Sequence, residues 1–262
     1  MKVSVIVNCF NGEKYLKDCL SSIVNQTYQD WELIFWDNNS SDRSAEIFDS
    51  FCDVRFRYFK SENTLALGQA RNQAVSMARY DLIAFCDVDD IWINTKLSLQ
   101  VEHYEKFPNL GFVYGRSQFL FDGSFIKPEW RNWIRNNETA YCATNELIFY
   151  RLTRRNFIFF GSVLINKNVF FECGGISSNL KQAEDYDILL KIAKNYPVSC
   201  IRNVVYIYRM HSENLTNSQT KLDFLEVQHI LAKYLPDLKV LLAMIERVTK
   251  FFIISIYSKL RH

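Results

Sequence analysis

Several short segments of this 262-residue chain combine residue types that can do chemistry. The most distinctive is Asp87-Val88-Asp89-Asp90, three carboxylates within four residues at the end of an apolar run. Carboxylates this close repel one another unless a cation neutralises them. Hard oxygen donors of this kind suit Mg²⁺ or Mn²⁺, above all where substrate phosphates complete the coordination shell. The same residues in isolation also read as a solvated acidic turn capping a helix at Trp92. Asp37-Asn38-Asn39-Ser40 offers amide and carboxylate groups able to read a nucleobase edge or a ribose, and it is equally a common turn composition. Glu184-Asp185 is a carboxylate pair starting a helix, a place where acidic residues ordinarily serve as caps or dipole partners. Tyr208-Arg209-Met210-His211 closes the last strand, and a lone histidine is more often structural than a ligand. Arg71-Asn72 can meet a phosphate or line a polar helix face.

The elements that must hold these residues are legible in the hydrophobic pattern. Val3 to Val7 is almost continuously apolar, as expected of a strand covered on both faces. After Asn11-Gly12, the residues Leu16, Cys19, Leu20, Ile23 and Val24 form one helical stripe, with Asn11 as N-cap and Glu13 in the first turn. Leu33–Trp36, Val54–Phe59 and Leu82–Cys86 read as further strands, with helices around Ile47–Phe51 and over Leu67–Ala78. Such alternation predicts an α/β fold with a doubly wound, mostly parallel central sheet flanked by helices. Ligands of such sheets bind outside the carboxyl ends of the strands, and here those ends are polar: Asn8, Asp37-Asn38 and Asp87 to Asp90. Beyond residue 110 the pattern predicts strands over Gly111–Phe121, Phe157–Ile165 and Val198–Tyr208. It also predicts a turn at Gly174-Gly175, a helix from Glu184 that stops before Pro197, and a helical tail from Leu222 broken at Pro236.

Composition narrows the classes. A hydrophobic content of 48% and an aromatic content of 15% exclude disorder. A formal charge of +2 gives no global field for nucleic acid, which is not expected as a partner. The seven cysteines are scattered and form no CxxC pair, so they read as small buried hydrophobes of a reducing, cytoplasmic compartment. No apolar run is long enough to span a bilayer.

In order and spacing, the segments VSVIVNCFNGEKYLKDCLSSIVNQTY, WELIFWDNNSSD, LGQARNQAV, FCDVDDIW, AEDYDILLK and YRMHSENLT resemble the family 2 glycosyltransferases, which are inverting enzymes of the GT-A fold. The resemblance spans residues 1 to about 217. It implies a nucleotide-diphospho-sugar donor and a cell-surface polysaccharide as product, of the O-antigen, capsule or lipopolysaccharide type. It places Asn8, Phe10, Asp37 and Asn38 around base and ribose, and Asp87 and Asp89 at the DxD motif, with Asp89 the direct Mn²⁺ or Mg²⁺ ligand and Asp87 helping with ribose or metal. It makes Asp185 the catalytic base and sets His211 on the metal or diphosphate. Arg71 is the candidate phosphate contact. Two departures stand out. Many members carry a second acidic residue where this chain has Asn38, which weakens the expectation of uracil, although an amide both accepts and donates. Phe10 replaces a common Tyr, keeping the stacking face without the hydroxyl.

The expected organisation is one glycosyltransferase domain over 1–218, with a nucleotide-sugar half (1–110) and an acceptor half (111–218), followed by a C-terminal helical extension over 219–262. Residues 126–160 are rich in aromatics and arginines, among them Trp130, Arg131, Trp133, Arg135, Tyr141, Phe149, Tyr150, Arg151, Arg154 and Arg155. They suit sugar rings and phosphates of a glycan or lipid-linked saccharide acceptor, and they equally suit a core. The tail 247–262 is basic at both ends and apolar between. It reads as a peripheral contact with the inner face of the plasma membrane, or as a helix packed on the domain or on a second subunit. Two alternatives stand beside this reading: a sugar-phosphate nucleotidylyltransferase, whose Gly-rich phosphate loop is missing at Asn8–Gly12, and a non-catalytic nucleotide- or glycan-binding relative.

Overall fold

Val3–Val7 carries no polar side chain except Ser4, whose hydroxyl donates to the Glu32 carboxylate at 2.8 Å, and this segment forms the middle of the sheet. Strand β1 (Val3–Cys9) lies between β2 (Trp31–Asp37) and β4 (Leu82–Phe85), parallel to both, and β3 (Phe56–Lys60) flanks β2. Helices α1 (Leu16–Val24), α2 (Ser44–Asp49) and α3 (Leu67–Ser76) make the crossovers. The structure is a computed structural model and describes residues 1–122, 145–212, 214 and 220–259. Trp130, Arg131, Trp133, Arg135 and Tyr141 of the expected acceptor segment lie outside the described residues.

The second half extends the same sheet. Strand β7 (Val163–Asn166) runs antiparallel to β4 and to β6 (Phe112–Phe121). The long β8 (Val198–Met210) is parallel to β6, and the short β5 (Ile91–Trp92), which directly follows the acidic cluster, pairs antiparallel with β8. The resulting order is β3-β2-β1-β4-β7-β6-β8-β5, an eight-stranded mixed sheet. Helices α4 (Lys96–Lys106), α5 (Asn145–Arg154), α6 (Lys167–Glu172) and α7 (Glu184–Asn195) cover it, followed by α8 (Thr220–Ala232) and α9 (Leu238–Lys259). Each sheet face carries an apolar layer drawn from both halves of the chain. One layer joins Ile34 and Phe85 to Ile148 and Leu189, and the other joins Val5 and Leu33 to Val113 and Leu164. The two halves therefore share one core.

Three local expectations are corrected. Asn11 is not an N-cap: it sits at φ +51°, and helix α1 begins only at Leu16. The Asn11 side chain instead accepts from the Ser41 backbone N–H at 2.9 Å, and the Glu13 carboxylate accepts from the Arg43 N–H at 3.0 Å, so both residues tie the β1 loop to the β2 loop. The expected strand over Phe157–Ile165 shortens to β7, because Phe160–Ser162 closes a 3₁₀ turn in which the Ser162 hydroxyl donates to the Phe159 carbonyl. The strand expected at Val54 starts at Phe56.

That turn has a purpose in packing. Tyr206 of β8 lies against Gly161, where a β-carbon would overlap its ring, and the Tyr206 hydroxyl donates to the buried Asp90 carboxylate. The expected result of Gly161→Ala is a loss of about 1–3 kcal/mol from overpacking, read as a lower denaturant midpoint at unchanged slope.

Candidate active site

The carboxyl ends of β1, β2 and β4 lie side by side, with Cys9 in register with Asp37 and Ile6 with Phe85. At β1, Phe10 projects into solvent, and the Asn8 amide nitrogen is buried without a hydrogen-bond partner among the described residues. At β2, Asp37 is buried: one carboxylate oxygen accepts from the Ser40 N–H at 2.7 Å and the other from the Tyr58 hydroxyl at 2.5 Å. Burial and the neighbouring Asp37 push the Tyr58 hydroxyl well above its ordinary range, so it remains a donor. Asn38 clasps the backbone of Leu65, donating to its carbonyl at 2.9 Å and accepting from its N–H at 3.0 Å. This clasp requires both functions of an amide; an aspartate could only accept. The amide therefore fixes the loop that leads into α3.

The three carboxylates after β4 have separate tasks. Asp87 accepts from Arg71 Nη2 at 2.7 Å. Asp89 accepts from His211 Nε2 at 3.0 Å and from the Asn214 amide at 3.3 Å. Asp90 turns inward onto β8, where it accepts from the Tyr206 hydroxyl and, at 2.7 Å, from the Arg209 N–H. Burial and the adjacent carboxylates push Asp90 well above the usual carboxylate range, and Asp89 is raised for the same reasons. Asp90 is thus an anchor of the turn, and Asp87 and Asp89 face the open edge. Arg209 completes the anchor, donating to the Asp89 carbonyl at 2.8 Å and to Asp18 at 2.8 Å while its guanidinium lies over the Tyr15 ring.

Arg71 joins the two halves of the site. Its guanidinium is buried over the Phe160 ring and also donates to Glu184 at 3.2 Å, at the start of α7. Next to it, Asp185 is half-buried, and its carboxylate accepts from the Tyr186 N–H at 2.6 Å. Burial, with the Glu184 charge adding to it and Arg71 opposing, pushes the Asp185 carboxyl up to about 7. The structure thus links Asp87, Arg71, Glu184 and Asp185 on one side and Asp89, His211 and Asn214 on the other.

A divalent cation is implied by the resemblance, and the donor set is consistent with one. Among the described residues no group of three or more His, Cys, Asp and Glu side chains forms a complete cage. Asp89 and His211 offer two donors side by side, and Asp89 resists ionisation in a field of like charges, which a cation would relieve. A partial set of this kind suits an ion whose remaining ligands are water and diphosphate oxygens.

Fold and site together define a GT-A glycosyltransferase. The sequence model for Glycosyl transferase family 2 matches residues 4–185, and the chain belongs to that family. Among curated relatives, it is 28% identical over 222 residues to the Escherichia coli protein named UDP-Glc:alpha-D-GlcNAc-diphosphoundecaprenol beta-1,3-glucosyltransferase WfgD, covering 84% of this chain and 81% of that one. The glycosyltransferase GlyG of Streptococcus pneumoniae is 42% identical over a shorter stretch of 91 residues, covering 34% of this chain and 30% of that one. Among solved structures, S. aureus TarS 1-349 in complex with UDP-GlcNAc superposes with a TM-score of 0.76 at 19% identity, covering 96% of this chain and 73% of that chain. The mannosyltransferase PcManGT of Pyrobaculum calidifontis, in complex with GDP-Man and Mn2+, gives a TM-score of 0.66 at 16% identity, covering 90% of this chain and 64% of that one. Membership sets aside the nucleotidylyltransferase alternative.

Sequence reasoning passed over Tyr15, Asp18 and Asn214 as parts of the site, and named Arg209 only within the Tyr208–His211 segment, without a role of its own. Asn214 carried a signal, standing three residues after His211, whose N–H its side-chain carbonyl accepts at 2.6 Å. Tyr15, whose ring lies 4.9 Å from that of His211, carried none. Arg71→Met should leave Glu184 buried without a counter-charge. The expected cost is about 3–5 kcal/mol, measured by chemical denaturation against the wild type.

Proposed function

We propose that this chain is an inverting, divalent-cation-dependent glycosyltransferase of cell-surface polysaccharide synthesis, moving a hexosyl group from a UDP-sugar to a GlcNAc-diphospho-lipid. The observation that carries the mechanism is that Arg71 bridges Asp87 and Glu184, which brings the Asp185 carboxylate to the donor edge; burial there pushes its carboxyl up to about 7. A general base works best with a pKa near the operating pH. The UDP-sugar and the lipid-linked acceptor are supported by the names of the E. coli relatives, WfgD and WfaP.

In this reading the nucleotide lies across the ends of β1 and β2. Phe10 offers its exposed face to the base, and the Asn8 amide supplies a donor that has no partner among the described residues. Asp37, shaped by Ser40 and Tyr58, faces the ribose with its remaining lone pairs, and Asp87 lies beside it. Asn38 acts through the Leu65 loop it clasps. Asp89 and His211 would hold Mn²⁺ or Mg²⁺, which when bound offsets the negative charge gathering on the leaving diphosphate. Asp185 takes the proton from the acceptor hydroxyl as that oxygen bonds to the anomeric carbon. The bond from that carbon to the diphosphate oxygen breaks, its electron pair leaving with the nucleoside diphosphate. One displacement inverts the anomeric centre and needs no covalent enzyme intermediate. Arg71 holds Asp87 and Glu184 in place through two ion pairs, and its contact with phosphate is indirect.

Residues 1–110 form the donor half, 111–218 the acceptor half and 219–262 the helical extension. No helix among the described residues is long and apolar enough to cross a membrane. Helix α9 nevertheless exposes Leu238, Leu241, Leu242, Ile245, Phe252 and Ile253 at spacings that form one stripe, with exposed Lys239 and Lys250 alongside. Such a face suits the headgroup layer of an anionic inner leaflet, where a lipid-linked acceptor resides. Co-sedimentation with phosphatidylglycerol vesicles at low salt, lost on pure phosphatidylcholine and in Ile245→Glu/Phe252→Glu, is the expected result. Equal binding to both vesicle types removes this part of the reading.

The decisive assay is release of nucleoside diphosphate from UDP-glucose, UDP-GlcNAc and GDP-mannose, with Mn²⁺ and a GlcNAc-diphospho-lipid. Turnover with a UDP-sugar is expected. Asp185→Asn should lower kcat by about 10²–10⁴-fold, the range for loss of a general base. Deprotonated Asp185 is the active form, so kcat/KM should rise with pH to a plateau, with its midpoint near 7. Full activity in Asp185→Asn would refute the base assignment.

A further inference from the structure

We infer that Glu226, on the C-terminal helix α8, is a positioning residue for Asp185, holding from outside the turn on which the base helix α7 starts. This rests on the reading of Asp185 as the base. The first turn of any helix presents N–H groups with no partner inside the helix, and a side chain just before the helix usually accepts from them. Helix α7 lacks such a cap: its N-cap is Ala183, and no side chain there accepts a cap hydrogen bond. The carboxylate of Glu226 instead holds the turn that leads into the helix. It accepts from the Lys181 N–H at 2.9 Å, from the Gln182 N–H at 2.9 Å and from the Ala183 N–H at 3.0 Å, the residues immediately before Glu184-Asp185. Glu226 is buried, so these are charge-assisted bonds shielded from water.

The rest of the extension grips the same first turn. The Lys233 ammonium lies 3.2 Å from the buried Asp187 carboxylate. Arg247 of α9 donates to the Thr153 and Leu152 carbonyls at 2.7 and 3.3 Å and reaches the Tyr186 hydroxyl at 3.4 Å, while that hydroxyl donates to Leu152 at 2.6 Å. Glu226 of α8, Lys233 in the turn after it and Arg247 of α9 thus hold residues 181–183, Tyr186 and Asp187, and all three lie in sequence beyond the family match at 4–185. The matched segment ends on the base itself, and the extension adds support to that held from within by Arg71. A displacement of about 1 Å at a reacting group can cost about 10²-fold in rate. A carboxylate locked onto three consecutive N–H groups is a direct way to prevent such a displacement.

The test uses the full chain. Amide hydrogen exchange of Glu226→Gln should show residues 181–186 exchanging at least about tenfold faster while the middle of α8 stays protected, because the amide keeps the side-chain shape and loses the charge. With the donor and acceptor that turn over in the wild type, kcat should fall about 10–100-fold while KM for the nucleotide-sugar stays within about twofold. Glu226→Asp should fall between. Ile230→Val, a buried apolar change in the same helix that removes no hydrogen bond to the turn, controls for stability and should keep the wild-type kcat. In an Asp185→Asn background, Glu226→Gln should cost nothing further, since the residue acts through the base. Unchanged exchange at 181–186, wild-type kcat in Glu226→Gln, or an equal loss in the Asp185→Asn background would each overturn the inference. An active Asp185→Asn would instead refute the base assignment, and faster exchange at 181–186 would still establish the clamp.

Discussion

The guanidinium of Arg71, buried between Asp87 and Glu184, is the contact on which the site depends. Asp87 follows β4 and Glu184 opens α7, two points far apart in sequence that meet through this one cation. Taking a guanidinium out of water costs several kcal/mol, and two carboxylates offset that cost only if both stay in place. The arrangement therefore contributes less to net stability than to uniqueness: shifting either half leaves a charge buried without a partner. Burial opposes the charge on Arg71, but the fields of Asp87, Glu184 and Asp185 outweigh it and hold the guanidinium firmly protonated.

Around that cation the carboxylates are crowded, and crowding sets their behaviour. Asp89, Asp90 and Asp185 all lie above the ordinary carboxylate range, with burial the first cause and neighbouring carboxylates the second. A single protein can resolve such a field in different ways at different positions. Asp90 does so by accepting from Tyr206 and Arg209 inside the fold. Asp87 does so through Arg71, whereas Asp89 stays at the edge with His211, in the field a cation would neutralise. For Asp185 the raised carboxyl carries a cost in stability. The unfolded state loses this proton at lower pH than the folded state, so this group's contribution falls as pH rises from about 4 to about 7. Raising this carboxyl toward neutrality and destabilising the fold at neutral pH are one effect.

Charge bookkeeping on the whole chain hides this. The formal +2 sums an acidic edge and basic surfaces elsewhere, including Lys239 and Lys250 beside the apolar stripe of α9. Each charge matters through what lies near it. A buried amine makes the same point: the Lys96 ammonium is held by Gln100 and the Val163 carbonyl, and burial lowers it to about 7. In sequence it is an ordinary helix-start lysine.

The sequence by itself determined what depends on local periodicity. Continuous apolar runs at Val3–Val7 and Leu33–Trp36 force strands buried on both faces, and the polar residues at their ends gather on one edge. The motifs were legible because short spacing fixes short distances: Asp87 and Asp89 cannot be far apart. Tertiary structure decided which partner each group has. Nothing in the chain says that Asp90 turns inward while Asp89 does not, because that depends on Tyr206 and Arg209, more than a hundred residues away. Asn38 looked like a base-reading residue, and only the fold shows its amide clasping the backbone of Leu65. Asn11 and Glu13 looked like helix-start residues, and they bridge two loops instead. Glu226 gave no signal at all, since a glutamate in a helical tail reads as an ordinary surface residue until the fold lays it on three consecutive backbone N–H groups. Periodicity reports which face is buried; hydrogen bonds and ion pairs between distant segments exist only once the chain has folded, and they set the charge of this site.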